Sequence, residues 1–229
     1  MATFLICHGA WSGGWSWKKV RPLLRAAGHA VFTPTYTGLG ERAHLAHPLV
    51  DLETHVQDVL AVIEAEDLSD VVLVAHSYGG MVGTVVADRV PRRIRHLIYL
   101  DAFVPADGQC LGDLVRGPGP SEPVAGWLVP PMPPAPDTSA EDLAWTTPRR
   151  RYHPARCFSQ KVRLAADAAS PPFRRSYIHC TKKEAGDNFR QFADRFRGDR
   201  GWGFYELATS HSPNVTAPEA LVRLLVEIG

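Results

Sequence analysis

The run Val71-Val-Leu-Val-Ala-His-Ser-Tyr-Gly-Gly80 constrains this chain more than any other stretch. Its apolar half reads as a buried strand, a helix-period segment over Gly80–Val90 follows at once, and Ser77 stands at the apex of the turn between them. Such a turn presses strand and helix backbones together, so it needs small residues two positions either side of the serine. Ala75 and Gly79 meet that need.

Short β-rich runs alternate with helical patterns along the rest of the chain, which predicts an α/β fold: a mostly parallel sheet of about six strands with helices on both faces. The strands are expected at Thr3–Cys7, Ala30–Pro34, Val71–Ala75, Ile94–Leu100, Ser176–Cys180 and Gly203–Leu207. Helices are expected at Trp17–Ala27, Leu52–Glu66 with Asp51 as N-cap, Gly80–Val90, Asp187–Phe196 and Pro218–Ile228. At 229 residues the chain reads as a single domain. Residues from about 105 to 171 break the rhythm, because Pro118, Pro120, Pro123, Pro130, Pro131, Pro133, Pro134 and Pro136 disfavour regular structure. Scattered apolar residues there suggest an inserted lid over a site.

Composition narrows the function. A net charge of +1 supplies no field for nucleic acid or anionic lipid. No apolar run reaches the roughly 18 residues of a membrane span, and the first residues lack the marks of a secretion signal, so a cytoplasmic protein is expected. Cys7, Cys110, Cys157 and Cys180 show no metal-binding spacing and read as reduced, structural thiols; no metal is expected. The composition leaves a homodimer open.

A serine hydroxyl is a poor nucleophile and needs a base, usually a histidine held by a carboxylate. Of the ten histidines, His211 stands out, since it follows the last strand and opens a loop at the same sheet edge as Ser77. His8 and His76 lie beside expected backbone turns and are read as packing or hydrogen-bonding there. An oxyanion needs N–H donors from the residue after the serine and from the loop after the first strand, which are Tyr78 and Ala10. Gly9, Gly13 and Gly14 let that loop approach a substrate. No Gly-x-Gly-x-x-Gly occurs there, which argues against a dinucleotide site.

These residues resemble the α/β-hydrolase fold, and within it the branch of plant methylesterases and hydroxynitrile lyases. The resemblance rests on Leu5-Ile-Cys-His-Gly-Ala-Trp-Ser-Gly-Gly-Trp-Ser-Trp17, Pro22-Leu-Leu-Arg-Ala-Ala-Gly-His29, the turn at Ser77, Asp101-Ala-Phe-Val-Pro105 and Ser210-His-Ser-Pro213. It implies Ser77 as nucleophile, His211 as base, Ala10 and Tyr78 as oxyanion donors, and no cofactor. Two departures matter. Hydroxynitrile lyases of this branch carry a lysine immediately after the histidine, and here Ser212 stands there, which disfavours cyanohydrin cleavage. The acid is commonly carried after the penultimate strand, yet Cys180-Thr-Lys-Lys-Glu-Ala-Gly-Asp187 has no aspartate in the matching place.

Two carboxylates compete for that role. Asp101 ends the strand Ile94–Leu100, a second position that the fold uses, and sits among apolar neighbours where an imidazole N–H would offset its desolvation. Glu184 is the alternative acid, while Asp187 is read as a helix N-cap. Trp11, Trp127, Leu128 and Trp145 are expected to line an apolar substrate pocket, and the run Arg149–Arg151 is expected to be a solvated face. The resulting expectation is a serine hydrolase cleaving a small carboxylic ester. A non-hydrolytic small-molecule-binding protein, or a lyase on the same fold, is the alternative.

Overall fold

The computed structural model describes residues 1–117, 119–165, 171–183 and 187–229. In chain order the elements are β1 (Thr3–Cys7), α1 (Val20–Ala26), β2 (Ala30–Phe32), α2 (Leu52–Ala65), β3 (Val71–His76), α3 (Gly79–Arg89) and β4 (Ile94–Leu100). There follow α4 (Leu111–Leu114), β5 (Leu128–Val129), α5 (Ala140–Thr146), β6 (His153–Pro154) and α6 (Arg156–Ser159). The last elements are β7 (Arg174–Cys180), α7 (Arg190–Phe196), β8 (Gly203–Leu207), α8 (Pro213–Thr216) and α9 (Pro218–Ile228). Six strands form one sheet in the order β2-β1-β3-β4-β7-β8, every neighbouring pair parallel.

The two-residue period of a strand divides the sheet between two cores. Leu5, Leu73, Ala75, Leu97, Tyr99 and Tyr177 face one side, packed with Val56 and Val59 of α2, Met81 and Val85 of α3, and Phe192 and Phe196 of α7. Phe4, Ile6, Val72, Val74, Ile98 and Ile178 face the other, packed with Val20 and Leu24 of α1 and Leu221 and Leu225 of α9. Because both faces are covered, β3 is buried at every residue and reads as a continuous apolar run rather than an alternating one.

The helix ends follow local chemistry. Asp51 caps α2, its Oδ1 accepting from the Thr54 amide at 3.0 Å. The stretch expected as one helix from Trp17 is instead a tight turn over Gly14–Trp17 followed by α1. Pro22 fits there because the first-turn amides of a helix have no intrahelical acceptor. Asp187 does not cap α7. That helix begins at Arg190, and Asp187 Oδ1 takes the Phe189 amide at 2.8 Å.

The insertion between β4 and β7 carries a small antiparallel pair, β5 with β6, in register Val129 with His153. Strands of two residues among prolines leave no periodic trace in the sequence, which is why they are not anticipated from it. Loops leaving the carboxyl ends of β1, β3, β4, β7 and β8 meet at one edge of the sheet, beneath this insertion.

Candidate active site

The site is built on a strained turn. Ser77 has φ 56°, a left-handed conformation that costs a non-glycine residue on the order of 1–3 kcal/mol unless its surroundings hold it. They do: the Ser77 amide donates to Leu100 O at 3.3 Å, and its carbonyl accepts from Phe103 N at 3.2 Å. A Cβ on Gly79 would lie 2.1 Å from Cys7 O, and one on Gly80 would lie 2.0 Å from Phe103 O. Only glycine lets the elbow close against β1 and the loop after β4.

His211 Nε2 lies 3.0 Å from Ser77 Oγ, and its Nδ1 lies 2.6 Å from Asp101 Oδ2. The carboxylate fixes the Nδ1–H tautomer, which leaves the Nε2 lone pair facing the serine hydroxyl. The ring is clamped by Phe189, stacked at 4.6 Å, and by His76 at 4.9 Å. His76 Nε2 also donates to the His211 carbonyl at 2.8 Å. Burial pushes the His76 ring down to about 3, with the neighbouring His211 adding to the effect, so His76 serves as a neutral donor.

Asp101 is fully buried and is itself left-handed at φ 44°. Its Oδ1 accepts from Cys180 N at 3.2 Å and from Lys183 Nζ at 2.7 Å. Burial alone would raise its pKa; the hydrogen bond and charge of His211 and the ammonium of Lys183 outweigh that and hold the carboxyl below its ordinary range. Lys183 Nζ also reaches Asp187 Oδ1 at 2.7 Å, and Asp187 Oδ2 accepts from His179 Nε2 at 3.0 Å. The structure therefore brings Ser77, His211 and Asp101 together. Glu184 lies outside the described residues.

The oxyanion candidates Ala10 and Tyr78 stand beside Ser77 on the wall of a cavity of about 690 Å³. Among the described residues, neither amide donates to a backbone carbonyl. The Ala10 N–H shares a peptide plane with the Gly9 carbonyl, which accepts from His8 Nδ1 at 2.8 Å. His8 Nε2 in turn accepts from the Tyr36 amide at 3.2 Å.

Trp11 lines the cavity as expected, with Phe103, Leu111, Met132, Phe158 and Phe189. Trp127, Leu128 and Trp145 do not. Leu128 is paired with Pro154 in the β5–β6 ribbon, and Trp127 O is held by the Ala155 amide at 2.8 Å. Trp145 packs edge-on behind Trp15 at 5.7 Å, with the Lys18 and Lys19 ammonium groups near its face. Nor is the arginine run wholly solvated, since Arg150 is on the cavity wall with its guanidinium 6.0 Å from the Trp11 ring. Lys183 and Phe189 are given no part by the sequence, and Asp187 only that of a helix cap. Lys183 is within reach of sequence reasoning, one residue from the alternative acid Glu184; a ring stacked on His211 from another loop leaves no local signal.

One buried triangle, His55, His153 and Cys157, holds potential ligand atoms within 4.8 Å of one another. His55 Nε2 donates to Thr37 O at 3.0 Å and its Nδ1 takes the Tyr78 hydroxyl at 2.9 Å. His153 Nδ1 accepts from the Trp11 amide at 3.2 Å. Both rings thus carry their proton on Nε2, and burial raises the Cys157 thiol, keeping it protonated. This donor set does not fit a metal ion.

Residues 4–224 match the profile of the Alpha/beta hydrolase family. The chain is 40% identical to the carbendazim hydrolyzing esterase of Nocardioides sp. (strain SG-4G), over the full length of both. It is 34% identical to methylesterase 9 of Arabidopsis thaliana over 46% of this chain and 41% of that one. An extracellular alpha/beta-hydrolase from a Paenibacillus species superposes with TM-score 0.82 at 25% identity, covering 100% of this chain and 99% of that one. The chain belongs to the alpha/beta hydrolase family.

Proposed function

We propose that this alpha/beta hydrolase cleaves a small carboxylic ester through an acyl-enzyme formed on Ser77. That it is a carboxylic ester hydrolase is supported by its full-length likeness to an esterase. The acyl-enzyme route is supported by one observation above all, the hydrogen-bonded line from Ser77 Oγ through both nitrogens of His211 to a buried carboxylate.

In this reading Ser77 Oγ attacks the ester carbonyl while His211 Nε2 takes its proton, and Asp101 stabilises the imidazolium that forms. The Ala10 and Tyr78 amides hold the oxyanion. The tetrahedral intermediate collapses, His211 returns the proton to the departing alcohol, and an ester bond to Ser77 remains. Water, deprotonated by His211, then attacks that ester; the acid leaves and Ser77 recovers its proton.

The cavity suits a compact, largely apolar ester: its volume is within the range of small-ligand sites, and Trp11, Phe158 and Phe189 offer flat apolar faces. We read the insertion as a lid over this cavity. Among the described residues no helix is long and apolar enough to cross a membrane, and all four cysteines are free thiols, which supports a cytoplasmic setting. The test is rapid mixing with p-nitrophenyl acetate. A burst of nitrophenol equal to the enzyme concentration, absent in Ser77→Ala, supports the acyl-enzyme; turnover surviving in Ser77→Ala overturns it.

A further inference from the structure

The insertion engages every polar group that Trp11 of the site has. The Trp11 amide donates to His153 Nδ1 at 3.2 Å, its carbonyl accepts from Arg151 N at 3.2 Å, and its indole Nε1 donates to Val129 O at 3.0 Å. Val129 and His153 are partners across the β5–β6 ribbon. The clamped residue has φ 57°, a conformation that a bulky side chain keeps only when its surroundings impose it.

His153 is fully buried, its ring stacked on Phe158 at 4.5 Å and edge-on to Tyr78 at 4.9 Å. It thus touches Tyr78, which carries one candidate oxyanion donor, and Trp11, the chain neighbour of Ala10, which carries the other. Desolvation keeps its ring neutral, with a pKa well below the ordinary value, so Nδ1 remains an acceptor. The opposite side of the same loop is held by His8, on the Gly9 carbonyl. Ala10 therefore has a fixed peptide plane on either side, one set by the sheet core and one by the insertion.

We propose that His153 is a positioning residue for ester hydrolysis, holding the Trp11 amide and through it the orientation of the Ala10 N–H, so that the β5–β6 ribbon belongs to the catalytic apparatus. This rests on the reading above, in which the Ala10 amide binds the oxyanion.

The test compares two substitutions in the full chain. His153→Phe keeps a ring against Phe158 and loses the acceptor; His153→Asn loses the ring but keeps an acceptor near the place of Nδ1. Complete loss of an oxyanion donor costs about 100- to 1,000-fold in kcat, so His153→Phe is expected to lower kcat by about 10- to 100-fold with KM within about 2-fold. His153→Asn is expected to be the faster of the two. A packing role alone gives the reverse ranking, and that ranking, or a His153→Phe kcat equal to wild type, overturns the proposal. Should His153→Phe fail to fold, His153→Leu, which removes the same acceptor, takes its place: a kcat below that of His153→Asn at constant KM supports the proposal, and a kcat equal to wild type or above that of His153→Asn overturns it. Ser77→Ala, run alongside, reports on the underlying reading separately, since turnover surviving there removes the ester mechanism whatever His153 does.

Discussion

Asp101 Oδ2 and His211 Nδ1 lie 2.6 Å apart although 110 residues of chain separate them. An amide at position 101 would offer the imidazole the wrong hydrogen-bond partner and would not stabilise the imidazolium. Asp101→Asn is therefore expected to lower kcat by about 10,000-fold, as measured on a purified, folded variant. Glu184→Gln should leave kcat within about 2-fold. The opposite ranking would move the acid to Glu184.

Lys183 stands between two carboxylates, Asp101 and Asp187, and all three side chains are largely withdrawn from water. Its removal leaves two buried anions without their shared cation, a change that costs about 3–5 kcal/mol. Lys183→Met should lower Tm by about 6–20 °C for a chain of this size. An unchanged melting curve would show that the pair contributes no net stability.

A methyl group on Gly80 would lie 2.0 Å from the Phe103 carbonyl, a backbone atom that no side-chain rotation can move aside. Gly80→Ala should cost about 3 kcal/mol or more. The same displacement disturbs the Ser77 turn, because Phe103 N donates to Ser77 O. Calorimetry of the variant, paired with its kcat, checks both effects; a wild-type Tm would contradict the close contact.

Acid should unfold the protein early. Burial pushes His55 and His76 down to about 3 and His8 to about 4, and it holds His153 well below its ordinary value. These rings are neutral when folded and take up protons near pH 6.5 once unfolded, so the unfolded state binds more protons and stability falls as pH drops. The loss begins near pH 6.5 and continues to about pH 3–4, with Asp101 acting in the same direction below its ordinary range. Tm recorded from pH 8 to pH 4 should fall steeply below 6.5; a flat profile would contradict the neutral, buried histidines.

The sheet was legible because its strands are apolar runs with sharp ends. Thr3–Cys7, Ile94–Leu100 and Gly203–Leu207 have the same bounds in sequence and structure. That Ser77 and His211 meet at one sheet edge was legible because each follows a strand end, which the alternation of elements locates. Aromatic residues of the insertion were not: Trp127 and Trp145 are apolar in any register, and only the pairing of β5 with β6 for the one and the packing against Trp15 for the other decide whether the ring faces the cavity. His153 was harder still, since it was visible only as a histidine beside an arginine run, whereas its contact is with a backbone amide 142 residues away. Local propensity carries no information about such a pair.

Activation of Ser77 is tested most directly by incubation with a fluorophosphonate and measurement of intact mass. One adduct per wild-type chain and none on Ser77→Ala is the expected result. An unmodified mass on folded wild type, or an equal adduct on both proteins, would contradict it.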